Sequence, residues 1–435
     1  MMASCRMWRR VAIWVVVGLT YLAIFVKWQL NETSPSVEII VERPNEEDAG
    51  KSGEHHEKRE NDAVPKYVKA DVERSTIYDE RREKMIQACR ENRYNGRTLN
   101  AASTDNFSID RKNGIVYCDI PKVASTFWKR VLQIASGKRQ KNDVFDIPAR
   151  SAHAGLLETF QKKGFDEIHQ VLSTSTKFMF VREPYSRLVS GYIDKIFTPR
   201  PAYRGLRNEI KNFGIRGNKT KVVSDCALDI TFTQFVVFLV GKIAENTWRN
   251  GHFVPMYDMC RPCEVQFDII GKMETFNEDA TYIFKEKGFP ASIQLDDQRN
   301  DLDSITDIVD STFAEKEGME KCLPFGKALE YVWKKAVIRG ILSKEESMPK
   351  RFIDQSNFSR EDFKKAMVDA YHRSSKNPDR MNNRKEALVE AIRSVPKDIL
   401  QKYRKLFRPD FEIFGYDMEE PQIFQVRQPK PFYFV

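Results

Sequence analysis

Short apolar runs alternate with amphipathic stretches through the middle of the chain. The runs GIVYCDI (114–120), KFMFV (177–181) and FDIIGKMET (267–275) are rich in β-branched and aromatic residues, and they predict buried strands. The first two lead directly into a loop and then into apolar positions at helical spacing. Strands and helices in this order predict an α/β fold with a central parallel sheet flanked by helices.

Three other stretches have helical patterns. Residues 71–94 carry charges on most faces, whereas DITFTQFVVFLVGK (229–242) places its apolar residues on one face. Residues from about 300 to 395 are largely helical in pattern and highly charged. We interpret this last stretch as a helical insert.

The N-terminus predicts a membrane anchor. RMWRR precedes sixteen residues without a charge, which Lys27 and Trp28 follow. The run is short for a spanning helix, but flanking Arg10 and Lys27 can snorkel and tryptophans suit the interfaces. The preceding arginines place the N-terminus in the cytosol and the bulk of the chain in the lumen. A cleaved signal peptide is the alternative, although no small-residue cleavage site follows the run.

The predicted domain order follows from this anchor. It comprises a cytosolic tail at 1–10, a transmembrane helix at 11–28, a stem at 29–95, a luminal domain at 96–416 and a C-terminal tail at 417–435. The first part of the stem is charged and without periodicity, which is typical of disorder.

Glycosylation sequons and cysteines also favour a luminal location. The sequons begin at Asn31, Asn106, Asn218 and Asn357. Six cysteines follow Cys5, and an even number in an oxidising compartment predicts disulfides, in one of fifteen pairings. Cys260 and Cys263 form a CxxC that also allows a redox motif or half of a zinc site, but neither the thioredoxin-like context nor a second pair is present.

Composition and charge restrict the class of partner. The chain has 435 residues, 41% of them apolar, which suffices for a sizeable core, and a formal charge of +9. A positive balance favours nucleic acid, a membrane surface or an acidic molecule as partner. The basic residues are scattered along the chain, so nucleic acid is not favoured over the others.

The loop after the first strand has the chemistry of an anion site. Lys122 supplies a mobile charge, Ser125 and Thr126 supply hydroxyl donors, and free backbone N–H groups at the helix N-terminus favour an anion. Arg130 lies one turn further on. An ordinary helix start, with Ser or Thr as the N-cap and an exposed lysine, is the alternative.

The loop after the second strand has a similar character. In FVREPYSRLVSGY, Arg182 leaves the strand and Ser190 follows eight residues later on the helix, where both could reach one group. The alternative is an ion pair between Arg182 and Glu183 beside a serine on the helix surface.

The two loops together resemble those of the sulfotransferases that use 3′-phosphoadenosine 5′-phosphosulfate (PAPS). More narrowly, the chain resembles the Golgi carbohydrate sulfotransferases of the chondroitin, dermatan and HNK-1 type over roughly 114–290 and 396–416. The motifs that carry this resemblance are PKVASTFWKRVL, FVREPYSRLVSGY, HFVPMYDMCRPC, FDIIGKMET and FRPDFEIFGY. Ala124 and Ser125 stand where Gly and Cys are commoner, and Phe127 stands where Asn is frequent.

The resemblance implies a P-loop-like sulfotransferase fold and a donor site with two ends. Arg182 and Ser190 would hold the 3′-phosphate, and Lys122 would stabilise charge on the leaving oxygen without a metal. The 5′-phosphosulfate would contact Lys122, Val123, Ala124, Ser125, Thr126, Phe127 and Arg130. The general base would be His252 or His153, each of which has a structural role as its alternative, or else an Asp or Glu.

The implied acceptor is an anionic, chondroitin-like glycan, sulfated at the 4-O position, in the Golgi lumen. A dermatan or HNK-1-type acceptor and a non-catalytic, membrane-tethered glycan-binding protein are the alternatives. A nucleotide kinase or NTPase would need a Walker loop, which this chain lacks.

Overall fold

The computed structural model describes most of the chain beyond the predicted anchor. The described residues are 66–92, 94, 99, 101–213, 226–246, 248–354 and 358–434. Three predicted segments lie outside the described residues: the cytosolic tail, the transmembrane helix and the first part of the stem. Three of the four sequons also lie outside them. Among the described helices, none is both long and apolar enough to cross a membrane.

A five-stranded sheet lies at the centre of the fold. Its strands are Phe107–Asp110 (β1), Ile115–Cys118 (β2), Glu158–Thr159 (β3), Thr176–Val181 (β4) and Ile269–Lys272 (β5). Their order across the sheet is β3-β1-β2-β4-β5. Strands β2, β4 and β5, which the apolar runs predicted, are parallel to one another.

The sheet as a whole is mixed, so the prediction of a parallel sheet is corrected at one edge. Strand β1 is antiparallel to β2, and β3 is antiparallel to β1. Residues 111–114 connect β1 to β2, and Gly114 has a φ of 58°, which favours glycine at the end of this four-residue hairpin loop. The four-residue strand β1 includes the polar Ser108, so its apolar pattern is too short to identify.

Eighteen helices surround the sheet in the described part of the chain. They are Lys66–Glu91 (α1), Ser125–Ala135 (α2), Ala149–Ala152 (α3), Phe165–Thr174 (α4), Pro184–Tyr192 (α5), Arg204–Phe213 (α6), Phe232–Ala244 (α7), Met256–Cys260 (α8), Pro262–Val265 (α9), Phe276–Glu286 (α10), Asp297–Ala314 (α11), Lys316–Glu320 (α12), Phe325–Ile338 (α13), Arg351–Asp354 (α14), Arg360–Ser374 (α15), Asn382–Arg393 (α16), Lys397–Phe414 (α17) and Pro421–Phe424 (α18). A π-helical turn, Ile193–Phe197, continues α5.

The helices of residues 297–393 form a second apolar core. Buried residues of α11, α13, α15 and α16 pack there against α5 and α7, whereas the other core surrounds the sheet. The stretch interpreted as an insert therefore makes up much of one side of the fold. Its charged residues line the surfaces of helices whose apolar faces are buried.

Helix α1, which the sequence analysis placed in the stem, packs on the sheet core. Tyr78 and Met85 are buried. The carboxylate of Asp279, fully buried, accepts hydrogen bonds from the Tyr78 hydroxyl (2.9 Å) and from Arg81 Nη1 (2.8 Å). The folded unit therefore includes this helix and begins before Gly96.

Three disulfides connect distant parts of the chain, which confirms the expectation of structural disulfides. They are Cys89–Cys263, Cys118–Cys260 and Cys226–Cys322. Both cysteines of the CxxC are thus bonded elsewhere, to α1 and to the end of β2. Neither is a free thiol for redox exchange or zinc binding.

Replacement of Asp279 by Asn should destabilise the protein strongly, because it leaves Arg81 partly buried without its counterion. We expect the free energy of unfolding, measured by urea denaturation, to fall by about 3 kcal/mol. The matched control is Asp79→Asn, which removes an exposed pair with Arg82 on the same helix and should cost less than about 1 kcal/mol. Equal effects of the two variants would show that α1 does not pack on the sheet.

Candidate active site

The two predicted anion-binding loops leave the same edge of the sheet. Strands β2 and β4 are parallel neighbours, with Cys118 opposite Met179, so the loops that follow them are adjacent. Arg182 Nη1 lies 3.4 Å from the carbonyl oxygen of Lys122, to which it donates. The structure therefore brings together the two loops, which lie about sixty residues apart in the sequence.

The backbone of the first loop is strained at its end. Lys122 and Ala124 have φ angles of 75° and 61°, in the left-handed region that non-glycine residues rarely adopt. Ala124 is the N-cap of α2, and no side chain caps this helix. The structure thus does not have the alternative arrangement, with Ser125 or Thr126 as the N-cap. The first N–H groups of α2 have no intrahelical acceptor and are available to an anion.

The Lys122 ammonium is held by a half-buried carboxylate just after the end of α5. Asp194, on the π-helical turn, forms ion pairs with both Lys122 and Lys335. Burial lowers the pKa of Lys122 to about 8, while Asp194 opposes this effect. Burial disfavours ionised Asp194, but Lys122 and Lys335 outweigh burial and hold the pKa of Asp194 well below its usual range. Asp194 is therefore a counterion and is unsuited to accept a proton at neutral pH.

Three arginines lie together beside the second loop. Arg384 Nη2 lies 3.4 Å from the carbonyl oxygen of Arg339. Desolvation by the surrounding protein, and then the charges of Arg182 and Arg339, lower the pKa of Arg384 to about 10. The Arg384 side chain nevertheless remains exposed to solvent. Among the described residues, no carboxylate lies within 4 Å of Arg182, Arg339 or Arg384.

The neighbouring carboxylates are engaged elsewhere. Glu183 does not pair with Arg182, because its oxygens accept the backbone N–H groups of Tyr185 and Ser186 at the start of α5. Asp301 pairs with Arg380 at 3.3 Å. The group of Arg182, Arg339 and Arg384, called the arginine cluster below, thus has an excess of positive charge that suits a phosphate dianion. Ser190 lies on α5, half-buried.

Three of the other predicted donor-binding residues have side chains engaged in packing. Val123 is fully buried, and Phe127 packs edge-on against Phe276 with ring centroids 5.4 Å apart. Arg130 is 3% exposed and pairs with Asp303 at 2.6 Å. Only the backbone groups of Val123 and Phe127 remain for a ligand, and Arg130 would have to leave its ion pair to bind one.

Both candidate histidines lie near the first loop. His153 Nε2 lies 3.1 Å from the Thr126 hydroxyl. Desolvation by the surrounding protein, and then the charge of Lys129, lower the pKa of His153, although the residue is exposed. His252 Nδ1 lies 2.9 Å from Asn250 Oδ1. Because an amide oxygen only accepts hydrogen bonds, Nδ1 of His252 carries the proton and Nε2 has the free lone pair. Burial, then Lys195 and Lys122, lowers the pKa of His252 to about 3.

A buried arginine fixes the His252 segment against the first loop. Arg187, on α5, donates from Nε to the Pro121 carbonyl at 3.2 Å, from Nη2 to Gly251 at 2.9 Å and from Nη1 to Val254 at 2.7 Å. Gly191 allows close packing, since a Cβ there would lie 2.6 Å from the Phe253 ring. Helix α5 thus positions the first loop and the histidine segment together.

Comparison with known proteins agrees with this arrangement. A model of the sulfotransferase family matches residues 105–312, which include both loops and α5. The matched part of the chain, slightly less than half of it, is therefore similar to the sulfotransferases. Carbohydrate sulfotransferase 11 of Rattus norvegicus is 31% identical over 224 residues, or 49% of this chain and 62% of the relative.

Two other relatives are also similar to this chain. Carbohydrate sulfotransferase 11 of Danio rerio is 32% identical over 228 residues, covering 51% of this chain and 64% of the relative. Carbohydrate sulfotransferase 14 of Danio rerio is 33% identical over 199 residues, covering 46% and 52%. The matches thus span less than two thirds of these relatives. No solved structure gives a significant match.

Several charged residues of this candidate site were not identified from the sequence. Lys335, Arg339 and Arg384 belong to the distant helical stretch, and nothing local in their sequence indicates the site. Asp194 did carry a signal: it follows Ser190 by four residues, so both lie on one helix face, and it interrupts the apolar pattern of Ile193 and Ile196.

Replacement of His252 by Gln should reduce the acid sensitivity of folding. The unfolded histidine binds a proton below a pKa of about 6.5, whereas the folded one stays neutral down to about 3. Acidification within this window therefore favours the unfolded wild-type protein. Between pH 7.5 and 5.0, the wild type should lose about 1–2 kcal/mol more unfolding free energy than the variant, measured with urea. An identical loss in both proteins would contradict the buried, neutral state of His252.

Proposed function

We propose that the protein is a carbohydrate sulfotransferase that uses PAPS and an anionic glycan, with chondroitin 4-O-sulfation as its reaction. The supporting observation is the adjacency of the two loops, with Lys122 at one and the unpaired arginine cluster at the other. The names of the relatives support a carbohydrate acceptor. The 4-O position rests on the resemblance of the motifs to the chondroitin-type enzymes.

The residues present fit a nucleotide donor with two anionic ends. The free N–H groups of α2, with the hydroxyls of Ser125 and Thr126, would hold the 5′-phosphosulfate. The arginine cluster, with Ser190, would hold the 3′-phosphate. Three guanidinium groups without a carboxylate partner suit a phosphate ligand better than a carboxylate ligand. A phosphate offers them more acceptor oxygens and more negative charge.

The donor supplies a sulfuryl group, and the chain supplies charge and proton handling. The bond from sulfur to the bridging phosphate oxygen breaks while one from sulfur to the acceptor oxygen forms, and the products are the sulfate ester and 3′-phosphoadenosine 5′-phosphate. Lys122 would move from Asp194 to the bridging oxygen, where its charge stabilises the transition state. Lys335 would keep Asp194 neutralised after this exchange.

The acceptor hydroxyl must lose its proton to a base of this chain. His252 is the better placed of the two candidates, because Asn250 leaves its Nε2 free to accept. Its depressed pKa keeps the ring neutral in a mildly acidic lumen. His153 is the second candidate. It is less well placed because its Nε2 is engaged with the Thr126 hydroxyl in this structure.

The location and the extent of the acceptor belong to the same proposal. A single N-terminal helix would anchor the protein in the Golgi membrane with its catalytic domain in the lumen. A dermatan or HNK-1-type acceptor would use the same donor site. An assay with radiolabelled donor distinguishes these acceptors. The protein is incubated separately with desulfated chondroitin, dermatan and glucuronate-terminated glycans, and the label transferred to each glycan is measured.

Replacement of Lys122 by Ala should abolish most turnover while the fold and donor binding remain. We expect kcat on desulfated chondroitin to fall by about 100- to 1000-fold, because the leaving oxygen loses its cation. Calorimetric affinity for 3′-phosphoadenosine 5′-phosphate should fall by a much smaller factor than kcat, because this nucleotide loses one contact of its 5′-phosphate but keeps those with the N–H groups of α2 and with the arginine cluster.

The matched control is Lys211→Ala, which removes an ion pair with Asp229 elsewhere on the surface. This variant should retain wild-type turnover. A Lys122→Ala protein that binds the nucleotide and turns over at the wild-type rate would refute the assigned role. A wild-type protein that labels no glycan and binds no nucleotide would refute the function itself.

A further inference from the structure

A lysine beside Asp194 faces a different part of the site. Residues 194 and 195 lie on the π-helical turn Ile193–Phe197, a geometry that occurs frequently at functional sites. Asp194 contacts Lys122 and Lys335, whereas the Lys195 ammonium lies 4.9 Å from the centre of the Tyr203 ring. Neighbouring residues of one turn therefore serve two separate contacts.

The Lys195 ammonium forms no ion pair in the described structure. Its side chain is half-buried, and no carboxylate of the described residues lies within 4 Å of its ammonium. A cation over an aromatic ring gains about 0.5–1 kcal/mol at an exposed site, which orients the ammonium but does not neutralise it. Lys122 and Lys335, by contrast, both have Asp194.

The position of Lys195 relates it to the reacting groups. The Tyr203 ring meets the His252 ring edge-on, with centroids 6.1 Å apart and an interplanar angle of 89°. Lys195 is also the charge that lowers the pKa of His252 most after burial, and it lowers the pKa of His153 less strongly, after burial and Lys129. Lys195 thus lies near both histidines that border the first loop.

We infer that Lys195, oriented by Tyr203, binds the carboxylate of an acidic sugar in the acceptor. This inference rests on the proposed function and identifies the acceptor side of the same site. In a glycan that alternates uronate with amino sugar, a carboxylate lies one sugar away from the hydroxyl that reacts. A charge-assisted hydrogen bond from Lys195 to that carboxylate would bring the neighbouring hydroxyl to His252 and Lys122.

The test combines an enzyme variant with a matching change in the acceptor. Wild type, Lys195→Ala and Lys195→Arg are assayed with desulfated chondroitin and with the same polymer after reduction of its carboxylates to alcohols. For the unreduced polymer, Lys195→Ala should raise KM by roughly tenfold or more, and Lys195→Arg should restore much of this loss. Carboxyl reduction should raise the KM of the wild type by a similar factor.

The decisive result is non-additivity. Once Lys195 is removed, carboxyl reduction should cause little further loss, because the two changes remove the same contact. Lys242→Ala is the matched control: Lys242 also lies over an aromatic ring, 5.7 Å from the centre of Phe213, and the variant should keep the wild-type KM. Assays at pH 7.5 keep both histidines neutral in every variant.

Two outcomes overturn the inference while leaving the function intact. In the first, Lys195→Ala keeps the wild-type KM on both polymers. In the second, the losses from mutation and carboxyl reduction multiply, so that the carboxylate is recognised elsewhere. Unchanged affinity for 3′-phosphoadenosine 5′-phosphate in Lys195→Ala shows that its donor site is intact. Absence of sulfate transfer by the wild type to either polymer would instead be a failure of the proposed function.

Discussion

The parallel pairing of β2 with β4 is the constraint on which the site depends. Because parallel strands end at the same edge, the loops after Cys118 and Val181 must lie side by side, whatever their separation in the sequence. Helix α5 then fixes the third part of the site, since Arg187 donates to carbonyls of the first loop and of the His252 segment. The buried Arg187 guanidinium holds this geometry through three neutral carbonyl acceptors. It therefore brings no carboxylate that would cancel the positive charge of the site.

The charges of the site are arranged so that some are compensated and others are not. Asp194 pairs with both Lys122 and Lys335 and offsets one of their two charges, which helps both ammonium groups to remain in a largely buried position. The arginine cluster and Lys195 lack carboxylate partners among the described residues. Uncompensated cations in a folded protein cost stability, and binding of an anion repays that cost. The distribution therefore favours a donor at Lys122 and the arginine cluster, and an acidic acceptor at Lys195.

The sequence predicted the parts of the structure that local patterns determine. Apolar periodicity predicts the three parallel strands and the helices that follow β2 and β4. The order of these elements then predicts that Lys122 and Arg182 are adjacent. The antiparallel strand β1 was missed because it has only four residues, two of them polar. Arg130 was assigned to the donor from its helical spacing alone, but its partner Asp303 belongs to a helix 173 residues away. Contacts of Lys335 and Arg384 depend on the packing of distant helices, which no local pattern contains.

The central claim is that the two loops bind opposite ends of one nucleotide. Calorimetric titration of wild type and Arg182→Ala with adenosine 3′,5′-bisphosphate and with adenosine 5′-phosphate tests it most directly. The account predicts that Arg182→Ala weakens the bisphosphate by about tenfold or more. The affinity for the bisphosphate should then approach that for the 5′-phosphate, whose own affinity the variant leaves unchanged. Equal weakening of both nucleotides, or of neither, would contradict the account.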